Sequence, residues 1–150
     1  MITIRCDSGR NVDLQMETLE DADLGGMELH RAQLSDVNLK NVILRRANLR
    51  GALLSGACLI NADLQDARLM TAQLVGANLQ GADLRRTWLN GAILDDANLE
   101  GADLRGADLS GVHWRGARLA HAKLLSQDRK SLDLSLVCDA SHIEWFTTSL

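Results

Sequence analysis

The chain has 150 residues, 46% of them hydrophobic, with no proline, no tyrosine, one phenylalanine and three tryptophans. This length suits one domain with a core of small and aliphatic side chains. A net charge of −4 argues against direct nucleic-acid binding, and no apolar run reaches the roughly 18 residues of a membrane span. Three widely spaced cysteines without a CxxC pair favour a reducing, cytoplasmic location.

The first five residues, Met1-Ile-Thr-Ile-Arg5, alternate apolar and polar side chains as a short strand does. Ile2 and Ile4 fall in the register of the repeats that follow. The end of a stacked sheet exposes unpaired backbone groups that attract other strands. We therefore predict that residues 1–5 form a strand that caps the N-terminal end.

A five-residue repeat follows the N-terminal strand. Leucine occupies every fifth position from Leu14 to Leu124, with Trp114 as the exception, and the residue two positions earlier is alanine in 16 of the 23 repeats. A period of five gives no single apolar face on an α-helix or on a flat strand. It fits a short extended side followed by a corner, with the small residue and the leucine inward. Glycine, asparagine and aspartate at the last position suit such a corner because they tolerate positive φ.

Four such sides close a square coil, and successive coils stack through parallel ladders. Parallel crossovers are right-handed, and 23 repeats at four to a coil give about six coils. We therefore predict an all-β fold, a right-handed quadrilateral parallel β-helix of about six coils, over residues 1–126. Glu17 and Met27 occupy inward positions that suit small residues, so the first coil should be distorted.

The repeat breaks after Ser126, and we interpret residues 127–150 as a C-terminal capping or dimerisation tail. SLDLSLV (131–137) alternates leucine with polar residues, which predicts an amphipathic strand. SHIE (141–144) is a capping-box pattern and predicts a short helix with Ile143, Phe146 and Leu150 on one face. The tail residues expected to cap the last coil, to form a dimer interface, or to do both are Leu132, Leu134, Leu136, Ile143, Trp145 and Phe146.

The words GANLQGADL (76–84) and ANLEGADLRGADLSG (97–111) resemble the A(D/N)LxG word of the pentapeptide-repeat family. The resemblance covers about residues 12–126. It implies a right-handed quadrilateral β-helix, and it also implies pairing of two chains through their C-terminal segments. Some members of that family imitate DNA and protect gyrase-type topoisomerases.

Several outward positions of the repeats are not polar. Because residues twenty apart stack, one side carries Arg68 beneath Trp88, and the next side carries apolar residues at similar heights. Clustered exposed apolar residues indicate a contact surface, so we predict a contiguous patch that binds an unidentified protein or lies under the tail. The patch consists of Leu53, Arg68, Met70, Val75, Trp88 and Ile93.

No pattern in the sequence indicates catalysis. The four histidines do not pair at metal-ligand spacing, serines form no nucleophile elbow, and the carboxylates lie on a convex surface without a cleft. We predict no catalytic residue, no metal site and no cofactor.

We interpret the chain as a non-catalytic, rigid protein-binding scaffold from a bacterial cytoplasm, and we expect a homodimer through the tail. One alternative is a DNA-mimicking modulator or protector of a type II topoisomerase. The Asp63, Asp83 and Asp103 column weakens that alternative because Arg85 and Arg105 adjoin it. A bacterial effector is a third alternative.

Overall fold

The computed structural model of the chain describes residues 1–6, 9, 11–130 and 132–148. In chain order the elements are β1 (Ile2–Ile4), β2 (Val12–Leu14), β3 (Lys123–Leu125), the 3-10 helices η1 (Ser126–Lys130) and η2 (Leu134–Leu136), and β4 (Glu144–Phe146). Between β2 and β3 the chain is a succession of turns joined by isolated β-bridges, because each extended side is too short to form a longer strand.

The bridges between β2 and β3 join residues twenty apart in parallel, from Asp23–Ile43 to Asp103–Lys123. Four five-residue sides therefore complete each coil. We number the sides by their outward positions: side 1 (23, 43, 63, 83, 103, 123), side 2 (28, 48, 68, 88, 108), side 3 (33, 53, 73, 93, 113) and side 4 (38, 58, 78, 98, 118). We call each short extended segment of a side a rung. Between two stacked rungs, the Leu64 N–H donates to the Asp83 carbonyl (2.8 Å) and the Asp83 N–H donates to the Ala62 carbonyl (2.9 Å).

The corners and the core follow the five-residue pattern. The corner residues Asn61 and Gly81 have φ values of 54° and 66°, a backbone conformation that glycine and asparagine adopt at low cost. Ala62 and Leu64 are fully buried, like most small residues and leucines of the repeats. The axis of the coil is thus a closely packed column of aliphatic side chains.

The N-terminal strand covers the first rung. β1 pairs antiparallel with β2, and the Gln33 N–H donates to the Arg5 carbonyl at 2.8 Å, where a preceding coil would otherwise supply the acceptor. Glu17 is exposed instead of inward, and the parallel bridges begin only at Asp23. The first repeats therefore depart from the regular coil, in agreement with the prediction from Glu17 and Met27.

The prediction of a strand over 131–137 is wrong for the residues that the structure describes there. Leu134–Leu136 is the 3-10 helix η2. Its cap is Asp133, whose carboxylate accepts hydrogen bonds from the Ser135 N–H (3.0 Å) and the Ser135 hydroxyl (2.5 Å). Such local bonding draws the chain into a turn, in competition with a sheet ladder.

The prediction of a helix after residue 141 is also wrong. Glu144–Phe146 is the strand β4, parallel to β3, and the Glu144 N–H donates to the Ala122 carbonyl at 2.8 Å. His142 lies at a corner with a φ of 53°, which a helix does not accept. The open backbone of β3 attracts this segment more strongly than a capping box favours a single turn of helix. Leu150, predicted for the same helical face, lies outside the described residues.

Candidate functional site

The Trp88 indole is the most exposed large apolar group on the sides of the coil, with 51% of its surface accessible. It lies on side 2 above Arg68, whose guanidinium carbon is 5.8 Å from the centre of the indole ring. At this distance the cation is attracted to the ring face. The two side chains thus form one aromatic and cationic feature.

The backbone N–H and the backbone carbonyl of Trp88 are both hydrogen-bonded to the coil below. The Trp88 N–H donates to the Ala67 carbonyl (3.0 Å), and the Trp88 carbonyl accepts from the Leu69 N–H (2.8 Å). Thr87, the preceding residue, is fully buried, and its hydroxyl donates to the Leu64 carbonyl at 2.8 Å. The indole therefore projects from a rung whose position is set by the core.

The other predicted patch residues lie near Trp88, but they do not form a continuous apolar surface. Val75 is exposed, whereas Leu53, Met70 and Ile93 are half-buried. On side 3 the exposed Gln73 pairs with both Leu53 and Ile93 and separates them. The predicted patch is therefore interrupted along side 3, because Leu53 and Ile93 lie two coils apart and Gln73 stacks between them. We call the six predicted residues the Trp88 surface.

The tail residues lie mostly against the core. Leu132 is buried, and Leu134, Ile143 and Trp145 are half-buried and packed against the core cluster. Leu136 is different, with 45% of its surface exposed. The remaining tail residue, Phe146, is half-buried.

Two arginines cover the aromatic rings of the tail. The guanidinium carbon of Arg105 lies 4.6 Å from the centre of the Phe146 ring, and that of Arg129 lies 5.6 Å from the Trp145 ring. The ring faces of Phe146 and Trp145 that the arginines cover are therefore not open to a second molecule.

The carboxylates of side 1 are paired with arginines. Arg85 binds Asp83, and Arg105 binds Asp103, each through an N–O contact of 2.6 Å. Burial of Asp103 opposes its ionisation, but the hydrogen bonds and the charge of Arg105 outweigh that effect, and the pKa of Asp103 is lowered. The predicted neutralisation by Arg85 and Arg105 is present in the geometry.

Two further pairs, on side 1 and at the corner that follows it, were not foreseen from the sequence. Arg86 holds Asp66 one coil below through two contacts of 2.8 Å, and the hydrogen bond from Arg86 lowers the pKa of the Asp66 carboxyl. Arg45 pairs with Asp63. The twenty-residue spacing of Arg86 and Asp66 was the available signal. Negative charge on side 1 is therefore largely compensated within the molecule.

Two of the four histidines, which the sequence does not place at metal-ligand spacing, lie close together in the structure. His121 and His142 occupy successive corners, and their rings stack with centroids 5.1 Å apart. Parallel stacked rings do not direct two ring nitrogens at one ion, and the described residues contain no group of three or more His, Cys, Asp or Glu side chains placed to hold a metal. Within those residues, no helix is long and apolar enough to cross a membrane.

Known proteins share this architecture. The family profile described as pentapeptide repeats matches eight copies, over residues 18–45, 32–69, 72–111 and 97–125. A pentapeptide-repeat protein (Rfr23) from the cyanobacterium Cyanothece 51142 is 31% identical, with 81% of this chain and 73% of that chain covered and a TM-score of 0.53.

A trypsin-treated form of QnrB1, a plasmid-mediated fluoroquinolone resistance protein, is 24% identical with a TM-score of 0.76. The alignment covers 86% of this chain and 62% of the length of that chain. No sequence of a curated protein matches significantly. The solved neighbours imply a right-handed β-helix, and proteins of this type are generally non-enzymatic scaffolds. The five-residue period, the stacked rungs and the profile together show that the chain belongs to the pentapeptide-repeat family.

Proposed function

We propose that this protein is a non-catalytic, rigid scaffold that binds another protein through the Trp88 surface. The observation that carries the proposal is the exposed indole, stacked on Arg68 and fixed to a hydrogen-bonded rung. Tryptophan and arginine are the residue types that most often dominate the binding energy of protein interfaces. Because the backbone is ordered before binding, association loses little conformational entropy.

The scaffold that we infer is a quadrilateral coil of about six turns when the irregular first repeats are included. We place it in the bacterial cytoplasm and expect it to act as a homodimer through the tail. A partner protein approaching side 2 then meets an indole with polar neighbours, which is the arrangement of an anchor side chain with a wet rim.

The test compares Trp88→Ala with Ile43→Ala. Ile43 is a matched control, since it is an exposed apolar residue (38%) at an outward position on side 1. The partner is captured from cells of the source organism, purified, and titrated against each variant by calorimetry. We expect Trp88→Ala to weaken binding at least about tenfold and Ile43→Ala to leave it unchanged, with both variants melting like the parent. Equal affinity of the parent and Trp88→Ala would exclude this surface.

One observation favours a second function. The fold is similar to that of QnrB1, a fluoroquinolone resistance protein, and DNA mimicry at a topoisomerase would use the outer surface of such a coil. The arginine pairs of side 1 weaken this alternative, because a DNA mimic needs uncompensated negative charge. Gyrase supercoiling with and without the purified protein decides the matter: we expect no inhibition at micromolar concentration, and inhibition that Asp63→Asn and Asp103→Asn abolish would favour mimicry.

A further inference from the structure

The C-terminal end of the coil is uneven. Residues 137–146 add rungs over sides 4 and 1, but η1 and η2 cross the end without a bridge to side 2, which stops at Asp108, or to side 3, which stops at His113. A cavity of about 400 Å³ opens there. We call it the notch; its lining consists of Asp95, Leu109, residues 111–115, Asp133 and Leu136.

The backbone at the floor of the notch presents an unfilled rung. One coil below, the Leu94 N–H donates to the His113 carbonyl (2.6 Å), and the His113 N–H donates to the Ala92 carbonyl (3.0 Å). The equivalent groups of the last rung, the Trp114 N–H and the Val112 carbonyl, make no hydrogen bond to any residue in the described part of the chain. An open strand edge of this kind is a template for one further strand.

The side chains of the notch suit one register of an added strand. Val112 is half-buried at an inward position, and Leu136 forms an exposed apolar wall, so residues above Val112 and Trp114 should be apolar. The residue between them would lie above His113 and face outward. The lining contains two carboxylates, of Asp95 and Asp133, and one guanidinium, of Arg115, and this excess of negative charge favours a basic outward residue.

The backbone of residues 112–114, which forms the floor of the notch, is already held in place without a ligand. Gly116, which follows the open rung, donates its N–H to the Leu136 carbonyl at 2.8 Å, and Trp114 is only 5% exposed. The rung is thus held at its end and from the core side, while its outer edge stays open. A peptide that adds here finds the backbone of the rung already ordered, which lowers the cost of binding.

We propose that the notch binds an extended segment of a partner protein with an apolar–basic–apolar pattern, as the missing rung of side 3. The basic residue gives its N–H to the Val112 carbonyl and accepts the Trp114 N–H with its own carbonyl. This site lies at the end of the coil and goes beyond the Trp88 surface, which occupies the walls of sides 2 and 3.

The test uses a synthetic peptide, acetyl-Gly-Ala-Lys-Leu-Ser-amide. The control is the same peptide with a methyl group on the backbone nitrogen of the lysine. The control keeps every side chain and removes the single donor aimed at the Val112 carbonyl. We expect the parent peptide to slow hydrogen exchange of the Trp114 amide at least about tenfold at saturation. We expect the methylated peptide to bind about fivefold to tenfold more weakly, which is the loss of one hydrogen bond.

Variants of the protein separate this site from the Trp88 surface. Leu136→Lys replaces the apolar wall with a positive charge that repels the lysine of the peptide, so this variant should abolish binding. Trp88→Ala should leave the affinity for the peptide unchanged. Three results overturn the proposal: no binding of the probe, equal affinity for both peptides, or a Trp114 amide whose protection in the peptide-free protein rises with protein concentration. The last result would show that a second copy of the chain occupies the notch.

Discussion

Within one side of the coil, adjacent residues have opposite environments. Thr87 and Leu89 are fully buried, whereas Trp88 between them is 51% exposed. The extended backbone turns successive side chains to opposite faces, so a substitution affects either the core or the surface. Stability and recognition are consequently separable at neighbouring positions of the chain.

Leu64 provides the test of the inward assignment. The change Leu64→Ala removes buried methyl groups from the axial column and should lower the free energy of unfolding by about 2–5 kcal/mol. The control is Gln73→Ala at an exposed outward position, for which we expect a change within about 0.5 kcal/mol. Urea denaturation measures both, and similar midpoints for the two variants would contradict the packing described.

Asp103 provides a prediction of pH dependence. Its pKa is lower in the folded chain, where Arg105 outweighs the effect of burial, than the value of about 3.9 in an unfolded chain. The stabilisation is therefore present above the unfolded pKa and is lost as the pH falls through the folded pKa. Asp103→Asn should cost less than about 1 kcal/mol at neutral pH, and this cost should shrink as the pH falls below the unfolded pKa of about 3.9. Melting temperatures across this range check the sign, which an unchanged difference at every pH would refute.

Among the elements, the tail continues the coil with an altered spacing. The bridge between Arg118 and Asp139 joins residues 21 apart instead of 20, and Leu124 pairs with Trp145 at the same spacing. The change in spacing comes after the segment that contains η1 and η2, which does not follow the five-residue pattern. The last rungs therefore protect sides 4 and 1 of the core, whereas sides 2 and 3 gain no further bridge after Asp108 and His113 among the described residues.

Ile143 tests the contribution of these rungs. It is half-buried against the core, so Ile143→Asp places a charge in an apolar contact and should cost several kcal/mol, on the order of 2–4. Ser141→Asp, at an exposed position two residues earlier, is the matched control and should melt like the parent. If both variants melt alike, the tail does not stabilise the coil.

At the scale of the whole molecule, we expect the C-terminal end of the coil to determine whether two chains associate. β4 is the last strand over side 1, and a two-fold pairing through it would cover an exposed edge. We expect a homodimer with twice the mass of the 16.4 kDa chain in light scattering. Phe146→Glu should return the 16.4 kDa species, whereas Leu136→Lys should not, because the notch lies on the opposite side. A parent that stays at the monomer mass at high concentration would limit the tail to capping.

The period of five was sufficient to predict which residues face inward, because every side repeats the same steric demand. It also predicted that Trp88 points outward above Arg68. The tail could not be derived in the same way. The capping-box residues that begin at Ser141 favour a helix locally, but the open backbone of β3 is a stronger competitor that appears only once the coil exists. The notch depends on where the chain turns after Ser126, which no periodic signal encodes.

The spacing of twenty residues between stacked positions links the length of the chain to rotation about its axis. Loss of four repeats below Trp88 would shorten the protein by one coil and keep the indole in line with the N-terminal strand. Loss of a single repeat would instead carry the indole a quarter turn round the axis. Changes in repeat number thus act in two ways: whole coils alter the reach of the protein, and single repeats alter the direction in which one end faces relative to the other.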